Sequence, residues 1–120
     1  MKHEVRRILQ SFFNEATEPY GATCWCPSAD IYRAQTRWLV KFDLAGVRPE
    51  DLQLRTEGRR LVVSGVRRDF AILEQQQAYS MEISYNRFER AVELPLDLAS
   101  AQIETDYRDG MLLVVITPTA

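Results

Sequence analysis

A chain of 120 residues has the length of one domain, enough for a single core that hides roughly two-thirds of the surface an unfolded chain exposes. With 46% hydrophobic and 27% charged residues, and only 5 Gly and 5 Pro, it fits neither a disordered nor a collagen-like class. A net charge of -2 argues against a duplex-DNA binder or a polybasic membrane binder, because such proteins draw most of their affinity from cationic contacts to phosphate.

The opening MKHEVRRILQSFFNEA is charged and polar throughout, where a signal peptide carries an uninterrupted apolar segment. No stretch in the chain approaches the ~20 apolar residues of a bilayer span, so the cytoplasm is the expected compartment. Val5, Ile8, Leu9, Phe12 and Phe13 fall at helical spacing and predict a short amphipathic helix over 4–16. The connector EPYGATCWCPS is broken by Pro19, Gly21 and Pro27. Strand patterns follow. RWLVKFDLAG (37–46) alternates Trp38, Val40, Phe42 and Leu44 with polar residues, and DLQLRTEGRRLVVSG (51–65) reads as two strands turning near Glu57-Gly58. VRRDFAILEQQQAY (66–79) is too long for a hairpin loop and carries Phe70, Ile72 and Leu73. Connections beyond about 12 residues usually have a function of their own, so this one is expected to contact another subunit. YSMEISYNRFERAVEL (79–94) alternates again through Met81, Ile83, Tyr85 and Phe88. QIETDYRDGMLLVVI predicts a hairpin around Asp109-Gly110. Its second strand is apolar from Met111 to Ile116, which suits one face in the core and the other covered by something else. Six or more strands with turns every 8 to 12 residues predict an all-β antiparallel sandwich or barrel.

The chemical inventory is thin. His3 is the only histidine and lies before the first predicted helix, where an exposed, unstructured side chain is expected rather than a general base. Cys24 and Cys26 flank Trp25 but lack the second pair of ligands a zinc site needs, and a bridge between them would be strained. Reduced thiols are expected, and no metal. Gly58, Gly65 and Gly110 read as turn residues, so no glycine loop opens a helix to cradle phosphate. The aromatic residues alternate within strands, which suits a core better than a stacking platform for nucleic acid. No enzyme, cofactor, nucleic acid or small-molecule substrate is expected.

Three blocks carry a family resemblance. Leu44-Ala45-Gly46-Val47 with Glu50-Asp51 matches an aliphatic-Pro-Gly-aliphatic turn followed by Glu-Asp, with Ala45 in place of Pro. Asn86, Phe88, Arg90, Leu94 and Pro95 match a Gly-x-Phe-x-Arg-x-x-x-Leu-Pro block. Thr105, Asp109, Gly110, Met111 and Leu112 match a closing Ala-x-x-x-Asn-Gly-Val-Leu block. Asn86 and Asp109 tolerate the turn conformations given there to Gly and Asn. Residues 28–118 thus resemble the alpha-crystallin domain of the small heat shock proteins, in the bacterial or plant-like branch. The resemblance implies an immunoglobulin-like antiparallel β-sandwich, preceded by a helical arm and connector over 1–27 and followed by a vestigial tail, 119–120.

It also implies a holdase that works without ATP, binding partly unfolded clients and preventing their aggregation under stress. The alternative of the same fold is a p23-like co-chaperone adaptor for one folded partner. By the same resemblance the long loop, with Phe70, Ile72 and Leu73, pairs with the neighbour's edge strand around Ile31 and Tyr32 to form a homodimer, and Arg90 matches an arginine of that interface. Leu52 and Leu54 on one strand, with Ile103 and Tyr107 on another, would wall a groove that in relatives takes an Ile-x-Ile tail motif. Here Thr117-Pro118-Thr119-Ala120 follow the last strand without that motif, which implies dimers or small, variable assemblies. Ile8, Leu9, Phe12 and Phe13 are expected to meet a neighbouring subunit or a client, since so short a helix is marginal alone.

Overall fold

Seven strands form in a computed structural model that describes residues 25–69 and 72–119. They are β1 (Ala29–Arg33), β2 (Trp38–Asp43), β3 (Leu52–Glu57), β4 (Arg60–Arg67), β5 (Asn86–Glu93), β6 (Ala101–Arg108) and β7 (Met111–Pro118). One sheet has the order β1-β2-β7-β6 and the other β3-β4-β5, with every neighbouring pair antiparallel. The fold is therefore the expected all-β sandwich. The helix expected over 4–16 lies outside the described residues.

The inner faces interlock through Val40 and Phe42 of β2, Leu61 and Val63 of β4, Phe88 and Val92 of β5, and Leu112, Val114 and Ile116 of β7. Leu44, Val47, Leu94 and Leu98 close the ends from the turns. Each such side chain contributes about 1.5–3 kcal/mol on burial, which is what holds two sheets with few other ties together. β7 lies between two strands, with Leu112, Val114 and Ile116 inward. On its other face Met111, Leu113 and Val115 are only half-buried, so the continuous apolar run has one face in the core and the other partly open. Val62 points away from the core yet is 1% exposed. It sits in register between Arg55 and Ala91, beneath a surface where Arg55 pairs with Glu57 at 2.9 Å and reaches Glu89 at 3.9 Å.

Left-handed backbone recurs at the turns. Asp109 and Gly110 have φ of +52° and +79°, as a primed hairpin turn demands, and Asn86 opens β5 at +75°. Gly65 differs from its sequence reading: β4 runs on to Arg67, so Gly65 lies within a strand. Glycine is required there by close approach, since a Cβ would sit 2.1 Å from the Asp51 carbonyl oxygen and 2.9 Å from Phe88 Cζ.

Residues 79–85, expected to begin a strand, form none. Arg67 pairs with Asn86 as the last rung between β4 and β5, so the sheet offers the preceding residues no partner. Tyr79, Met81 and Ile83 consequently lie exposed, and the long connection runs over 68–85.

Candidate functional site

The two sheets end in four edge strands, and the candidate residues gather on them. β1 pairs only with β2, leaving its other edge without a strand among the described residues. Ile31 and Tyr32 on it are 43% and 47% exposed. Lys41 Nζ lies 5.3 Å from the centroid of the Tyr32 ring, which fixes that ring over the outer face of the sheet. In the long connection Ile72 and Leu73 are 77% and 68% exposed, far more than apolar side chains packed on their own sandwich would be. Phe70 lies outside the described residues, as do Ile8, Leu9, Phe12 and Phe13.

At the start of that connection Arg68 grips Asp51 with two prongs, Nε to Oδ2 at 2.9 Å and Nη2 to Oδ1 at 3.1 Å. The carboxylate raises the guanidinium pKa further above its ordinary value, and the paired geometry holds the loop's departure against the turn Pro49–Asp51 that precedes β3.

On the opposite side, Leu52 and Leu54 of β3 and Ile103 and Tyr107 of β6 are half-buried against the core. The turn Leu98–Ser100 that leads into β6 packs against β3, and Leu98 N donates to Gly58 O at 2.9 Å, so these edges share one side of the sandwich. Tyr107 has a second duty. Its hydroxyl lies 2.8 Å from Leu44 O and 2.6 Å from Val47 O, a single proton between two carbonyls that braces the turn after β2. Burial, with a smaller contribution from the Asp43 charge, pushes its pKa up. The apolar surface open to a visiting chain is accordingly set mainly by Leu52, Leu54 and Ile103.

The β1/β5 side is closed by the chain itself. Trp25 bridges to Phe88 on β5, its N–H donating to Arg87 O at 3.1 Å and its carbonyl accepting from Glu89 N at 3.2 Å. Arg90, on the inner face of β5, donates from Nη1 to Pro27 O at 3.2 Å within its own chain. Ser28, three residues after Trp25, accepts at its carbonyl from Asp43 N at 3.0 Å, so Trp25–Ser28 carries the chain from one sheet to the other. The sequence reading missed this strap and the residue that caps it. Arg67 places its guanidinium 4.0 Å from the Trp25 ring centroid and donates to carbonyls of two other segments. Its signal was a pair of arginines closing a strand; that of Trp25 was its place two residues before Pro27.

Among the described residues, no group of three or more His, Cys, Asp or Glu could hold a metal ion, and no helix is long and apolar enough to cross a membrane. Comparison with known proteins gives the identity. The Hsp20/alpha crystallin family profile matches residues 30–120. Spore protein SP21 of Stigmatella aurantiaca is 27% identical over 96 residues, covering 80% of this chain and 57% of its own length. Small heat shock protein C2 of Rickettsia felis is 22% identical over 119 residues, 96% of this chain and 77% of its own. In three dimensions the hspA structure from Xanthomonas axonopodis superposes with a TM-score of 0.65 at 26% identity, covering 78% of this chain and 94% of that one. Strand order, turn residues and this profile agree, and the chain belongs to the Hsp20/alpha crystallin family.

Proposed function

We propose that the protein is an ATP-independent holdase chaperone of the cytoplasm, which binds partly unfolded clients and keeps them from aggregating. The observation that carries the reading is a pair of complementary exposed features on one chain. The connection 68–85 holds Ile72, Leu73, Tyr79 and Ile83 in solvent, and β1 offers an open edge with Ile31 and Tyr32 beside it. An edge without a strand partner among the described residues supplies main-chain donors and acceptors, and exposed apolar side chains on the added segment supply register, the requirements for adding a strand from a second copy. A homodimer joined by that exchange is part of the proposal, with Phe70 contributed by the same loop and Arg90 near the interface. The half-buried Leu52, Leu54 and Ile103 form a second apolar strip for clients or neighbouring subunits, and Ile8, Leu9, Phe12 and Phe13 of the arm a third.

A holdase needs no chemistry. Binding non-native chains lowers the concentration of free, aggregation-prone species while leaving native clients alone. The test is light scattering from several unrelated proteins heated with and without the chain, in the absence of nucleotide. Suppression for most of them is expected. Protection of one partner only would mark an adaptor and refute the holdase reading.

A further inference from the structure

We propose that Arg67 is a positioning residue that joins the root of the N-terminal arm to the return of the long loop, so that one side chain sets the placement of both. The proposal rests on the reading of that loop as the dimerising element. Arg67 ends β4, opposite Asn86 in register. Its Nε lies 2.8 Å from Ser84 O, with Nη2 directed at the same oxygen, and its Nη1 lies 3.1 Å from Ala45 O. The guanidinium plane stands over two rings, 4.0 Å from the centroid of Trp25 and 5.6 Å from that of Tyr85. Trp25 is held from behind, its Nε1 donating to Asn86 O at 3.3 Å, and its ring meets Phe88 at 5.2 Å.

Three segments distant in sequence therefore converge on one cation: the strap at Trp25, the turn at Ala45, and the loop return at Ser84 to Asn86. Main-chain bonds tie Trp25 to Arg87 and Glu89, and the rung ties Arg67 to Asn86, whereas Ala45 and Ser84 are joined to this point through the Arg67 side chain. Only a planar fork with several fixed donors can satisfy two carbonyls while stacking on a ring; lysine has the charge and lacks the fork. Loss of the Trp25 ring leaves the guanidinium free to swing, and the loop return loses its fixed donor. Displacement of the arm by a client would reach the loop by this route.

Trp25 and Trp38 are the two tryptophans of the chain, so a Trp38→Phe background makes Trp25 the sole fluorophore. In that background Arg67→Met should shift Trp25 emission to the red, raise amide exchange over 80–85 several-fold and raise the dimer dissociation constant about tenfold. Arg67→Lys should recover part of the emission and little of the exchange protection. Separately, Trp25→Leu should raise exchange over 80–85, and the Trp25→Leu/Arg67→Met pair should weaken the dimer no more than the worse single change, since the two act as one unit. Exchange over 80–85 unaffected by Trp25→Leu, or fully additive effects, would overturn the proposal. Exchange over 80–85 is read within one protomer: if it responds while the dimer does not, the coupling stands and the loop's dimer role fails.

Discussion

At the scale of single residues, the turns were legible and the braces were not. Asp109-Gly110 and Asn86 advertise left-handed backbone by residue type, and both positions have it. Tyr107 advertised only an apolar position on an alternating strand. That its hydroxyl sits under Leu44 O and Val47 O depends on where the turn after β2 lands, a tertiary fact with no local signature. Tyr107→Phe leaves those two carbonyls without their donor and should cost about 1 kcal/mol at neutral pH, lowering the melting temperature by roughly 4–8 °C. The pH dependence follows from the upward pKa shift. Burial favours the neutral phenol, so this contribution is whole below the ordinary tyrosine value near 10 and is lost as pH rises through the higher folded value. Thermal unfolding of the two proteins should therefore show a gap that narrows as the pH rises above about 10. A gap of constant width would mean that the phenol is not held neutral by the fold.

At the scale of elements, the hairpin signal at Asp109-Gly110 located β6 and β7, and alternation located β2, β3 and β4. The same pattern misled over 79–85, where Met81 and Ile83 alternate as well as any strand yet lie in solvent. Alternation records that a segment can present an apolar face; whether a neighbour exists to pair with it is decided elsewhere in the chain. β1 shows the converse, with only Ala29 even half-buried, so family resemblance rather than periodicity pointed to it. These two poorly buried elements are the ones the proposed dimer would bring together. Replacing Phe70, Ile72 and Leu73 with Ser removes the apolar side chains proposed to set register, and should give monomers at micromolar concentration with unchanged circular dichroism. Analytical ultracentrifugation decides it, because sedimentation equal to the parent's would show that the loop does not join subunits.

At the scale of the whole molecule, the sandwich is asymmetric: the β1/β5 side is strapped by Trp25–Ser28, while the β3/β6 side keeps an apolar strip at Leu52, Leu54 and Ile103. The core cluster among the described residues closes on its own side chains, so deleting residues 1–16 should leave a folded dimer. Client protection in the scattering assay should fall several-fold, and full protection by the shortened chain would remove the arm from the binding surface. The pairing of β2 with β7 has a further consequence, for biosynthesis. Trp38 waits for Ile116 and Asp43 for Met111, so the four-stranded sheet cannot close until the final hairpin has left the ribosome. The three-stranded sheet β3-β4-β5 draws only on residues 52–93, and its inner residues Leu61, Val63, Phe88 and Val92 have no covering sheet until β2 and β7 pair. During its own synthesis the protein presents the kind of exposed apolar sheet that it is proposed to guard in others, and the last strand to emerge is the one that covers it.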